Sequence, residues 1–254
     1  MLEIENLTRR FGGLVAVDDV TTVIEQGKIN AIIGPNGAGK TTFFNLINGT
    51  FAPSSGSIRF SGQEIGGLRV DEIACLGIAR TFQTSTLFNH ATVLDNLIVG
   101  HRLRTQSTLW DVLIHSSRWR DDERKCREKA RDALDFVGLS PIADRLAGDI
   151  SQEERKRVAF ALALSTHPTL VLLDEPAGGV NPEETEGLSE LIRKMIRHGL
   201  TVCLVEHKMN MIMKLADKIM VLNYGKKIAE GTPAEIRANP AVIDAYLGSE
   251  HAEV

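Results

Sequence analysis

Ile29-Asn30-Ala31-Ile32-Ile33-Gly34-Pro35-Asn36-Gly37-Ala38-Gly39-Lys40-Thr41-Thr42 joins a short apolar run to a helix-forming stretch through a glycine-rich turn. Residues 34–41 fit G-x-x-x-x-G-K-[ST], the P-loop pattern. Its glycines let successive backbone N–H groups curl around phosphate oxygens, and the next helix points its positive end at them. Lys40 supplies a point charge for the β- and γ-phosphates, and Thr41 a hydroxyl for Mg2+. A glycine-rich turn can fit this pattern by chance. Here, however, an apolar strand precedes it, and Phe43, Phe44 and Ile47 mark a helical face after it. Gly34, Asn36, Gly37, Ala38, Gly39, Lys40, Thr41 and Thr42 are therefore the candidate phosphate-binding residues.

A second element agrees. Leu170-Val171-Leu172-Leu173 reads as a buried strand and ends in Asp174-Glu175-Pro176. An acidic residue in that place can hold Mg2+ in P-loop ATPases, which assigns Asp174 to the metal. Glu175 is then placed to polarise an attacking water. Taken alone, the pair could equally cap the next helix.

Outward from these strings, residues 2–33 and 57–60 alternate as strands do, and 93–148 carries helical spacing. The α/β alternation resumes at Ser151. A helix over 152–165 leads to a strand over 169–173, a helix over 183–198, a strand over 200–205, a helix over 209–216 and a strand over 218–223. Thr232-Pro233-Ala234-Glu235 is a capping box, and Asn239-Pro240 opens a last helix. The pattern predicts a parallel sheet with a helical insertion between its halves.

The 254 residues carry 33 acidic and 29 basic side chains, a net charge of −4, which argues against a nucleic-acid binder. Cys75, Cys126 and Cys203 are widely spaced and read as reduced core thiols. The acidic, strand-like opening Met1–Glu5 is not a leader, and no apolar run reaches the ~20 residues of a membrane span. Any service to a membrane is expected from its cytoplasmic face.

With these residues in place, the chain resembles an ABC ATPase from Leu2 to about Gly248. The resemblance implies an α/β fold, a P-loop NTPase of the ABC type. It would have a RecA-like parallel-sheet core, an N-terminal antiparallel β subdomain and an inserted helical subdomain near 84–150. The whole would form one ATP-binding domain over 1–248 with a tail at 249–254. Phe11, in Arg9-Arg10-Phe11-Gly12-Gly13, resembles the aromatic that stacks on adenine. Gln83, in Arg80-Thr81-Phe82-Gln83, resembles the Q-loop glutamine that touches Mg2+ and water. His207 resembles the switch histidine that reaches the γ-phosphate. Catalysis would thus fall to Glu175, His207 and Gln83, with Thr41, Gln83 and Asp174 as metal ligands and ATP and Mg2+ as cofactors.

Finer strings, Arg80–Gln83, Asp174–Pro182 and Gly231-Thr232-Pro233…Ala245-Tyr246-Leu247-Gly248, are similar to the branched-chain amino acid uptake ATPases of the LivG type. That likeness implies transmembrane permease partners, a second ATPase subunit and, indirectly, a solute-binding protein. It implies no nucleic acid, and it places the chain peripherally on the cytoplasmic face of the inner membrane. Other readings are a non-transport or regulatory ABC ATPase with weak turnover, or a lipid-exporter subunit.

One loop departs from the family. Where the signature Leu-Ser-Gly-Gly-Gln belongs, the chain reads Ile150-Ser151-Gln152-Glu153-Glu154. Ser151-x-x-Glu154 is a sound capping box, and acids in a first turn stabilise a helix by ~0.3–1 kcal/mol. Against a phosphate, a carboxylate ~4 Å away at an effective dielectric of ~20 is repelled by about 4 kcal/mol. Repulsion wins unless Glu153 turns away or Arg155, Lys156 and Arg157 screen it. The expectation is a weakened signature and a heterodimer in which a partner supplies the intact one. Asn181 also replaces the family's D-loop aspartate, a change the resembled subfamily often shows and to which little is attached.

Overall fold

A computed structural model of the chain describes residues 1–81, 87–102, 111 and 116–250. Its contacts divide into two units, Met1–Arg80 with the chain from Thr169 onward, and Thr81–Pro168.

The first unit holds two sheets. Strands β1 (Leu2–Phe11), β2 (Leu14–Ile24), β4 (Ser55–Phe60) and β5 (Gln63–Glu64) form an antiparallel sheet in the order β2-β1-β4-β5. The other is six-stranded and runs β10 (Lys226–Gly231), β9 (Lys218–Asn223), β3 (Ile29–Ile33), β8 (Thr201–Val205), β7 (Leu170–Asp174), β6 (Ile78–Thr81). In it, β3, β7, β8 and β9 pair in parallel, and β10 joins the edge antiparallel to β9. Every residue of β3, β7 and β8 is buried, as expected of parallel strands covered on both faces.

Helix α1 (Lys40–Ile47) lays Phe43, Phe44, Leu46 and Ile47 into the core shared with Leu2, Ile4 and Ile58 of the antiparallel sheet. Helix α2 (Val70–Leu76) precedes β6, and neither was expected from the sequence. The remaining helices of this unit are α6 (Pro182–Arg197), α7 (Met209–Leu215), α8 (Pro233–Arg237) and α9 (Pro240–Glu250). Asn181 caps α6, its Oδ1 accepting the Glu184 N–H at 2.9 Å, so the replacement of a D-loop aspartate keeps a cap and drops a charge. Thr232 caps α8 in the expected box with Glu235.

The second unit is helical, with α3 (Val93–Arg102), α4 (Ser117–Val137) and α5 (Gln152–Leu164). Cys126, Ala130, Leu134 and Val137 form the buried stripe of α4. Cys126 and Cys203 are buried thiols, and burial pushes the Cys203 thiol far up. Cys75 corrects the expectation: it sits exposed on α2, a short helix that buries only Ile73.

Candidate nucleotide-binding site

The turn between β3 and α1 is built from backbone constraints. Gly39 has φ +101, and a Cβ there would lie 2.4 Å from the Ala16 carbonyl oxygen. At Gly34 a Cβ would lie 2.1 Å from the Leu222 carbonyl oxygen. Only glycine fits such approaches. The turn is fastened from outside as well: the Gly225 N–H donates to the Ala38 carbonyl at 3.0 Å, and the Asp18 N–H to the Gly225 carbonyl at 2.9 Å. The hairpin between β9 and β10 therefore braces the loop against β2.

Around this loop lies a cavity of about 390 Å³, lined on one side by Asn36 through Thr42 and on the other by Glu175 and His207. Leu14, Val15, Ala16 and Tyr224 complete it as an apolar wall. Lys40 is buried, and its Nζ donates to the carbonyls of Gly34 at 2.7 Å and Pro35 at 2.8 Å. Burial lowers its ammonium pKa, while the Glu175 and Asp174 carboxylates act in the opposite sense.

Glu175 occupies φ +47, a left-handed conformation rare for a residue with a side chain. Its N–H donates to the Val205 carbonyl at 2.9 Å, and its own carbonyl accepts the Gly178 N–H at 3.0 Å. Such strain costs on the order of 1–3 kcal/mol and persists only where the surroundings hold it. Here it brings Glu175 Oε1 to 3.0 Å from His207 Nε2 at the mouth of the cavity. Neighbouring Glu206 is buried, and its carboxylate accepts the Ala177 N–H at 3.2 Å, tying the end of β8 to the turn after β7.

Asp174 is 6% exposed and does not line the cavity; its Oδ2 lies 2.7 Å from a guanidinium nitrogen of Arg80. Among the described residues no group of three or more His, Cys, Asp or Glu side chains could hold a metal unaided. Thr41 and Asp174 offer hard oxygen donors of the kind Mg2+ takes together with substrate phosphates.

The structure thus gathers Lys40, Thr41, Glu175 and His207. It does not bring Phe11 to the cavity. That ring packs edge-on against Phe51, centroids 5.2 Å apart, with the Arg9 guanidinium 4.6 Å from its centre. Gln83 lies outside the described residues. Leu14, Tyr224 and Arg80 were missed as site residues. Arg80 stood within a quoted string and Tyr224 beside a turn glycine, but neither pattern says what it faces.

In the second unit, Ser151 caps α5. Its N–H donates to Glu154 Oε2 at 2.6 Å, and its Oγ accepts the Glu154 N–H at 3.1 Å. Glu153 pairs with Arg157, which also donates to the Val137 carbonyl at 3.0 Å. Arg155 instead donates to the Gly148 carbonyl at 3.2 Å, and Arg145 approaches Glu154 at 3.9 Å. Part of the screening that the loop required is present, supplied at Glu153 by Arg157.

This fold and cavity are those of an ATP-binding cassette, and the chain belongs to the ABC transporter family, as an ATP-binding, ATP-hydrolysing subunit. The ABC transporter family model matches residues 17–178, and that of the branched-chain amino acid ATP-binding cassette transporters matches 226–252. The chain is 43% identical over 249 residues to BraF of Pseudomonas aeruginosa, a high-affinity branched-chain amino acid transport ATP-binding protein. It is 39% identical to the corresponding LivG of Escherichia coli, and each comparison covers 98% of both chains. A solved cassette of an ABC transporter in its ADP conformation superposes with a TM-score of 0.87 at 32% identity, over 98% of both chains.

Proposed function

We propose that this chain powers import of branched-chain or related small polar amino acids, from the cytoplasmic face of the membrane, as one ATPase of a heterodimer bound to two permease subunits. A solute-binding protein would deliver the amino acid from the other side. Full-length similarity to BraF and LivG supports the solute class, and among the described residues no helix is long and apolar enough to cross a membrane.

The observation that carries the hydrolytic reading is the Glu175–His207 contact at 3.0 Å across from Lys40 and Thr41 in one cavity. Lys40 leaves its carbonyl partners to meet the β- and γ-phosphates, beside the loop N–H groups. Thr41, Asp174 and Gln83 would hold Mg2+, which would supply charge neutralisation at the phosphates. Glu175 orients and polarises water for in-line attack, and His207 holds Glu175 and reaches the γ-phosphate. Positioning and electrostatics then provide most of the rate.

The heterodimer rests on Glu153 and Glu154. Even with Arg157 on Glu153, this loop offers carboxylates where the family offers glycine and glutamine. The same observation favours a second reading, a regulatory subunit of weak turnover, against which Glu175 and His207 stand. Uptake of radiolabelled leucine into cells with and without the gene tests the solute class. Restored uptake on complementation supports it, and unchanged uptake of every branched-chain amino acid contradicts it. A sizing column run with the Glu175→Gln chain and Mg-ATP tests the assembly. Tight dimers of this chain alone would sink the heterodimer.

A further inference from the structure

We propose that Arg80 is the resident counter-ion of the metal position at Asp174, a positioning residue that Mg2+ must displace when it arrives with nucleotide. The proposal rests on Asp174 as a Mg2+ ligand and adds what occupies that carboxylate beforehand.

Arg80 and Asp174 are 7% and 6% exposed and meet at 2.7 Å, a charge-assisted bond away from competing water. The guanidinium is held from a second side: its other terminal nitrogen donates to Asn45 Oδ1 at 2.6 Å. A third contact is the Phe44 ring, 5.6 Å away. Asn45 and Phe44 both belong to α1, the helix that begins with Lys40 and Thr41. Arg80 therefore spans from the phosphate-loop helix to the end of β7.

Two acids in sequence at the end of a buried strand need positive charge while the phosphates and their metal are away. Lys40 does not supply it by contact, since its Nζ donates to the Gly34 and Pro35 carbonyls. Arg80 does. Asp174 is correspondingly not among the residues that line the cavity with Glu175 and His207. A guanidinium and a divalent cation repel each other, and both draw on the one Asp174 carboxylate, whose Oδ2 Arg80 already holds. Part of the Mg2+ binding energy is thus spent on releasing Asp174. Metal loading thereby becomes a movement of the Arg80 side chain relative to α1 and the end of β7.

The test is binding of a fluorescent ATP analogue to the purified chain, in chelator and in saturating Mg2+, read as the ratio of the two dissociation constants. Arg80→Gln should raise the enhancement by Mg2+ about tenfold, a change of ~1.4 kcal/mol. Arg80→Lys, which keeps the charge, should return it toward wild type. A ratio within twofold of wild type in Arg80→Gln means a structural role and overturns the proposal. A smaller ratio means that Arg80 assists the metal, and overturns it too. In an Asp174→Asn background Arg80→Gln should have no effect on the ratio. If Asp174→Asn alone leaves the Mg2+ enhancement intact, the ligand assignment fails first and takes the proposal with it. Should Arg80→Gln not fold, Asn45→Ala removes one anchor and keeps the charge. It should shift the ratio the same way by a smaller factor, and no shift overturns the proposal.

Discussion

Glu175 combines a strained backbone with a contact to His207, and single-residue changes there separate binding from turnover. Glu175→Gln keeps the shape and removes the charge that polarises water. Phosphate release should fall at least 100-fold, or about 2.7 kcal/mol of activation energy, while ATP-analogue affinity stays within a few-fold. Gly39→Ala acts on the other property. Its Cβ would strike the Ala16 carbonyl at 2.4 Å in a φ +101 conformation, so nucleotide affinity should fall by tenfold or more in the same binding assay. The P-loop residues were legible because their geometry is local: one strand, one turn, one helix. The strand ending in Asp174-Glu175 was legible for the same reason. What surrounds Phe11 was not, because Phe51 is 40 positions away in the chain and meets it only through the pairing of β1 with β4. Tyr224 and Leu14 likewise reach the cavity through tertiary contacts between β2 and the β9–β10 hairpin. Periodicity carries no information about them.

At the scale of elements, caps and edges decide where the chain turns. Ser151→Ala removes the hydroxyl that accepts the Glu154 N–H and should destabilise the protein by about 1 kcal/mol in chemical denaturation. On the edge strand β10, Glu230 accepts from Lys218 at 2.7 Å, Lys227 at 2.5 Å and Thr22 at 2.6 Å, joining the two sheets of the first unit. Burial pushes its carboxyl up, but the bonds from Lys218, Lys227 and Thr22 outweigh it and leave the pKa below the ordinary 4.5. The folded form thus binds this proton less readily than the unfolded one. Its stabilisation is complete above the ordinary carboxylate value and is lost as pH falls through the lower folded value. Glu230→Gln should cost roughly 1–3 kcal/mol at neutral pH. The melting-temperature gap to wild type should narrow as the pH is lowered below 4.5. The sequence showed the buried strands β3, β7 and β8, each a short and mostly apolar run. It hid α2, β6 and β10. Ile78–Thr81 is only four residues long, and Lys226–Gly231 is polar because an edge strand faces water on one side.

For the whole molecule, the ABC transporter family match and the full-length similarity to BraF and LivG describe an ATP-hydrolysing subunit. Family and reaction could be reached from motifs. The state of the signature loop could not, since it depended on whether an arginine reached Glu153, and Arg157 rather than Arg155 does so. If that pair weakens this chain's signature, Glu153→Gly with Glu154→Gln should strengthen ATP-driven association with a partner cassette. Analytical ultracentrifugation of the mixed chains would show a dimer fraction above wild type. An unchanged fraction would mean that Arg157 already neutralises the loop. The central claim is that this chain's own Glu175 site turns over ATP within a membrane assembly. Its most direct test is ATP-dependent phosphate release from the gently solubilised, co-purified assembly, with Glu175→Gln introduced in this chain alone. Phosphate release should fall at least tenfold with the complex intact; full activity would place hydrolysis in the partner cassette and leave this chain a regulatory one.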